Sequence, residues 1–154
     1  MTGKADFSPE EWKLVAEGPP SAGMIVITSQ RGGMIRESFS MAKAYTEARS
    51  EHGASQLLDE IVSAKPEMDR TKHTSLEELK ADFLQHLRDA VALLEQKATP
   101  EELDDYRRFV VAVTNRVAEA HREGFLGLSG ERVSEAESQA ISEVAEAVGA
   151  EPPA

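Results

Sequence analysis

The chain has 154 residues, 40% of them apolar and 29% charged, with 28 acidic against 17 basic side chains and a net charge of −11. This length suits one domain with a core that needs no covalent staple. The lack of cysteine excludes disulfides, thiolate metal sites, iron–sulfur clusters and cysteine nucleophiles. A surface this negative repels phosphate backbones and anionic lipid, which argues against nucleic-acid and membrane partners.

Aromatic residues are only 5% of the chain, while alanine, leucine, valine and glutamate abound. That mixture favours helices over sheets. The opening MTGKADFSPEEW has no apolar signal region, and the longest uncharged stretch, Pro19 to Gln30, is far short of the roughly 20 apolar residues that span a bilayer. The expected location is the cytoplasm.

Helix starts are marked by a Ser or Thr with Glu three residues on, a pairing in which each side chain reaches the other's backbone N–H. The pattern occurs at Ser8 with Glu11, Ser75 with Glu78, Thr99 with Glu102 and Ser134 with Glu137. Pro9 and Pro100 sit at first helical positions, where the missing N–H costs nothing. The first predicted helix runs from Pro9 to Glu17, with Trp12 and Val15 on one face and Phe7 stapled from outside, and Gly18-Pro19-Pro20 ends it. Ser21 to Gln30 follows. Its run Met24-Ile25-Val26-Ile27 allows a buried strand, but no second strand is available to pair with it, so a buried helix fits better.

Arg31-Gly32-Gly33 breaks the chain; it reads first as a tight turn and second as an anion-binding helix start. A helix from Met34 to His52 places Ile35, Phe39 and Ala42 on one face, with Met41 and Tyr45 beside them, and Gly53 stops it. Ser55 to Ala64 is shorter, with Leu57, Leu58, Ile61 and Val62 inward. A polar loop from Lys65 to His73 precedes the long helix Ser75 to Lys97, striped by Leu76, Leu79, Phe83, Leu87, Val91 and Leu94. Pro100 to Glu123 carries Tyr106, Phe109, Val110, Val113, Val117 and Ala120 inward. After the glycine-rich loop Gly124 to Val133, the last helix runs from Ser134 to Val148 with Ile141, Val144 and Val148 inward and Gly149 as its cap. The expected fold is all-α, a compact single-domain bundle of about six helices over 1–149, with 150–154 a frayed tail.

The stretch Val117 to Gly149 resembles the ending of the TerB-like domains, helical domains of the tellurite-resistance type. These follow a small-residue helix with an Asp-Gly-type loop, a hydrophobic residue, a capping Ser and acidic residues, then a periodic helix ending in Gly. The matching positions here are Gly130, Val133, Ser134, Glu135, Glu137, Ile141, Val144, Val148 and Gly149, about a fifth of the chain with the preceding helix. Ser129 stands where that family has its loop aspartate, which puts a cation-binding role for the loop in doubt. The resemblance implies an all-α bundle with a stress-associated or scaffolding role rather than an enzyme.

Few residues suggest chemistry. Glu78, Asp82 and His86 recur every four residues along one side of a helix and could share a divalent cation. Read as surface, they give only an Asp82–His86 contact worth a few tenths of a kcal/mol. The ferritin-type Glu-x-x-His motif is missing. His52, His73 and His121 lie at a helix end, in a loop and near a helix end, and read as structural. No serine sits in G-x-S-x-G, no phosphate-loop pattern occurs, and nothing calls for a cofactor. Glu101, Glu102, Asp104 and Asp105 open a helix, where the dipole favours them. Phe125, Leu126 and Leu128 sit among glycines next to Glu131; apolar loop residues either tuck onto the core or meet a partner. The leading expectation is a non-enzymatic interaction or stress-associated protein, with a protein partner or self-association at that loop. A cation-binding protein is the alternative, and an enzyme with an unrecognised interhelical site is the third reading.

Overall fold

The computed structural model describes residues 3–28, 34–50, 56–63, 76–124 and 135–149. A 3₁₀ turn over Lys4–Asp6 precedes six α-helices: α1 (Pro9–Thr28), α2 (Met34–Ser50), α3 (Gln56–Val62), α4 (Leu76–Lys97), α5 (Pro100–Gly124) and α6 (Glu135–Val148). No strand occurs among the described residues. The expected all-α bundle of about six helices is what the chain forms. Residues 150–154 lie outside the described residues.

The capping signals act as their chemistry dictates. Ser8 N–H donates to Glu11 at 2.8 Å while Glu11 N–H donates to the Ser8 hydroxyl at 3.1 Å. Thr99 and Glu102 repeat the exchange at 3.0 and 3.2 Å. Ser75 and Ser134 lie outside the described residues. Phe7, just before the first cap, packs its ring 5.7 Å from that of Trp12, four positions into the helix. This is the hydrophobic staple that fixes the entry angle of a helix. Lys97 closes the corner: its ammonium lies 5.4 Å from the Phe7 ring centroid, 2.8 Å from Glu11 and 3.1 Å from the Asp6 carbonyl. At the other end Gly149 takes φ +76°, the left-handed conformation that ends a helix, and Arg107 Nε donates to the Val148 carbonyl at 2.6 Å.

One expectation fails, and its failure explains the architecture. Gly18-Pro19-Pro20 does not stop the first helix; α1 runs through all three residues to Thr28, so Met24 to Ile27 is helical. Pro19 has no N–H to give the Val15 carbonyl. Tyr106 of α5 supplies the missing donor, its hydroxyl bonding that carbonyl at 2.8 Å. Glycine at 18 makes the approach possible, since a Cβ there would lie 1.9 Å from the Tyr106 oxygen. His86 of α4 adds a second tie, with Nε2 2.8 Å from the Leu14 carbonyl. A carbonyl only accepts, so Nε2 carries the proton.

The prolines thus sit in the middle of the protein. Residues 18–23, Ile25 and Val26 are buried, as befits an uncharged helix surrounded on most sides. α1 packs against α4, α5 and α6. α4 and α5 are joined by the two residues Ala98 and Thr99, yet each packs more on α1 than on the other. α6 lies across both. The stripe Phe83, Leu87, Ala90, Val91 and Leu94 faces inward from α4, and Tyr106, Val110, Val113 and Val117 from α5. Each fully buried aliphatic side chain contributes about 1.5–3 kcal/mol. α2 packs on α5, away from α4, and α3 braces α2 and α5 together. Among the described side chains of α2, Ala44 and Tyr45 are buried, whereas Ala42, expected on one face with Ile35 and Phe39, is exposed.

Candidate functional site

Among the described residues, α2, α3 and α5 meet around a groove of about 710 Å³. α2 contributes Ala44, Glu47 and Ala48, whose spacing of three and four residues puts them on one helix face. α5 contributes a longer stripe that begins at Asp105 and ends at Arg116, eleven residues and three turns further on. α3 closes one side with Leu58 and Asp59.

The third wall is held by its other face. Leu57, Ile61 and Val62 are buried, which leaves Leu58 and Asp59 turned to the groove. Arg49 of α2 donates through Nε to the Val62 carbonyl at the end of α3. Glu60 of α3 accepts from the Lys4 backbone N–H, so the start of the chain also restrains this helix. α2 and α5 are joined beneath the groove by the edge-on packing of Tyr45 against Phe109, with centroids 5.0 Å apart. Phe109 carries that contact to the groove floor, together with Ala44, Ala48, Ala112 and Leu58.

The rim is charged. Arg116 of α5 forks onto Glu47 of α2, with Nε 3.2 Å from one carboxylate oxygen and a terminal nitrogen on the other. Hydrogen bonding from Arg116 holds the Glu47 carboxyl below the usual carboxylate range, with smaller help from the Arg116 and Lys43 charges. Arg108 pairs with Asp105 one turn earlier on the same helix. With Asp59, the lining holds three carboxylates and two guanidinium groups. Among the described residues, the lining includes no hydroxyl, thiol, imidazole or amine side chain. The groove therefore offers apolar contact, ion pairing and the Asn115 amide, which suit recognition.

The residues singled out from sequence fall elsewhere. Glu78 and Asp82 are exposed on α4, and His86 is half-buried with Nε2 spent on Leu14. A metal would have to use its Nδ1. Among the described residues no three His, Cys, Asp or Glu side chains gather closely enough to hold an ion. Phe125, Leu126, Leu128, Glu131 and Ser129 lie outside the described residues, as do Arg31-Gly32-Gly33, His52 and His73. Asp105, read from sequence as a helix-start acid, is instead a rim residue paired to Arg108. Glu102 is buried in its capping exchange with Thr99.

The groove was not readable from sequence because its walls come from positions about 60 residues apart. The one local hint is Ala112, a small residue midway between Arg108 and Arg116 on the charged side of α5. Two buried phenols were also missed as a pair. Tyr106 and Tyr45 are each 1% exposed, and burial pushes both hydroxyls above their ordinary value of 10.0. The Tyr45 hydroxyl is the one buried side-chain polar atom without a hydrogen-bond partner among the described residues.

No protein-family model, curated protein or solved structure matches the chain. Among the described residues no helix is long and apolar enough to cross a membrane.

Proposed function

We propose that this protein is a non-enzymatic, cytoplasmic interaction protein that holds a protein partner in the groove between α2, α3 and α5. The observation that carries the reading is the make-up of that groove: an apolar floor rimmed by two acid–arginine pairs. Protein interfaces share this anatomy of apolar centre and polar rim. A net charge of −11 makes nucleic acid an unfavourable occupant. The resemblance of Val117 to Gly149 to the ending of TerB-like domains adds the expectation of a stress-associated role.

The test is site-specific photocrosslinking in the source cells. A photoreactive residue at exposed Ala112, in the groove, should give discrete protein adducts. The same residue at exposed Ala92, on α4 away from the groove, should not. Equal adducts at both positions, or none at 112, would refute the groove as the working surface.

A further inference from the structure

The shape and charge of the groove also bear on what fills it. Its α5 wall, from Asp105 to Arg116, is about 16 Å long at the helical rise of about 1.5 Å per residue. That length equals three turns of a further helix. The α2 side of the floor carries Ala44 and Ala48 one turn apart, and the α5 side carries Ala112. Alanines on both sides let a helix axis settle at the short end of the roughly 8–10 Å packing range. Leu58 and Phe109 then give apolar anchors on the incoming helix something to press against.

Charge decides the polar side of such a helix. Both rim arginines already have carboxylate partners, Glu47 for Arg116 and Asp105 for Arg108. An acidic segment would have to displace those carboxylates within the field of a chain carrying −11. A basic segment must likewise compete with the arginines for Glu47 and Asp105, but it does so with that field in its favour, and the lining holds three carboxylates against two guanidinium groups. Its approach is also steered by the net charge.

We propose that the groove between α2, α3 and α5 receives an amphipathic partner helix of about three turns, apolar on the side facing Phe109 and basic on its flanks. This rests on the groove being the working surface argued above. The probes are two hydrocarbon-stapled helical peptides, identical in a leucine and alanine face and differing only in lysine or glutamate flanks. Binding to the full chain is followed by fluorescence anisotropy at low and high salt.

The lysine peptide should bind at least tenfold more tightly than its glutamate twin at low salt, and the gap should narrow as salt screens the charges. Ala112→Trp, at an exposed position, should weaken it at least tenfold with unchanged circular dichroism; Asn115→Trp is the second occluding variant. If both peptides bind equally and Ala112→Trp still blocks them, the basic specificity is wrong while the groove reading stands. Lysine-peptide binding indifferent to both tryptophans would place it elsewhere on the acidic surface and overturn the proposal. If neither peptide binds, a helical occupant is ruled out, and crosslinking at position 112 judges the groove on its own.

Discussion

In an ordinary helix interior, replacing glycine with alanine stabilises by about 1 kcal/mol. At position 18 the structure requires the reverse. The new methyl would lie 1.9 Å from the Tyr106 oxygen, 3.1 Å from its Cζ and 3.8 Å from Leu87 Cδ2. The first distance is impossible, so the phenol must withdraw. Overpacking of this kind costs about 1–3 kcal/mol. Withdrawal also breaks the bond to the Val15 carbonyl, and a buried carbonyl left bare costs about 1–3 kcal/mol more. Against the propensity gain, Gly18→Ala should destabilise by about 3 kcal/mol in urea denaturation. The mechanism predicts a specific coupling. In a Tyr106→Phe background the offending oxygen is gone, the nearest remaining atom is a ring carbon at 3.1 Å, and the same alanine should cost about 2 kcal/mol less. A stabilising Gly18→Ala, or identical costs in both backgrounds, would refute the account of how α5 bridges the proline break.

Three further outcomes follow from the buried phenols and the rim carboxylates. The chain has two tyrosines, both buried, and their folded hydroxyls titrate above 10.0. Their neutral forms favour the fold fully below pH 10, and that contribution is lost as pH rises because the unfolded phenols ionise first. About 1.4 kcal/mol per tyrosine per pH unit implies a loss of about 3 kcal/mol at about pH 11. Phenolate absorbance should therefore rise only together with loss of helix; a rise at pH 10 with circular dichroism intact would show an accessible tyrosine. Tyr45→Phe keeps the ring on Phe109 and removes an unpartnered hydroxyl, so stability should hold or rise by about 1 kcal/mol in a urea titration. A loss of that size would mean that the hydroxyl is bonded in solution. Lys97 and Arg116 lower the carboxyl values of Glu11 and Glu47 below 4.5, so both groups stabilise above that pH and lose their contribution as pH falls through the lowered values. The acid limb of a urea-midpoint profile should flatten in the double variant Glu11→Gln, Glu47→Gln; an unchanged limb would clear these pairs of any role.

Much of the secondary structure was legible because its causes are local. A hydroxyl and a carboxylate three residues apart cap a helix whatever surrounds it, as Ser8 with Glu11 and Thr99 with Glu102 show. The 3.6-residue period of α4, α5 and α6 named most of their buried stripes, because each helix has one wet side. The period misled at Ala42, because α2 turns Ala44 and Tyr45 toward α5. The groove escaped sequence reading altogether, since Glu47 meets Arg116 only after α2 docks.

The sequence by itself determined the helical class, the capped starts at Ser8 and Thr99, the left-handed stop at Gly149 and the acidic surface, all set by side chains within a turn of one another or by composition. Tertiary structure alone decided that Gly18-Pro19-Pro20 would continue a helix. Local propensity reads a missing N–H as a stop; the packed protein supplies Tyr106 as donor from 91 residues away and buries the break, and packing outweighs the lost backbone bond.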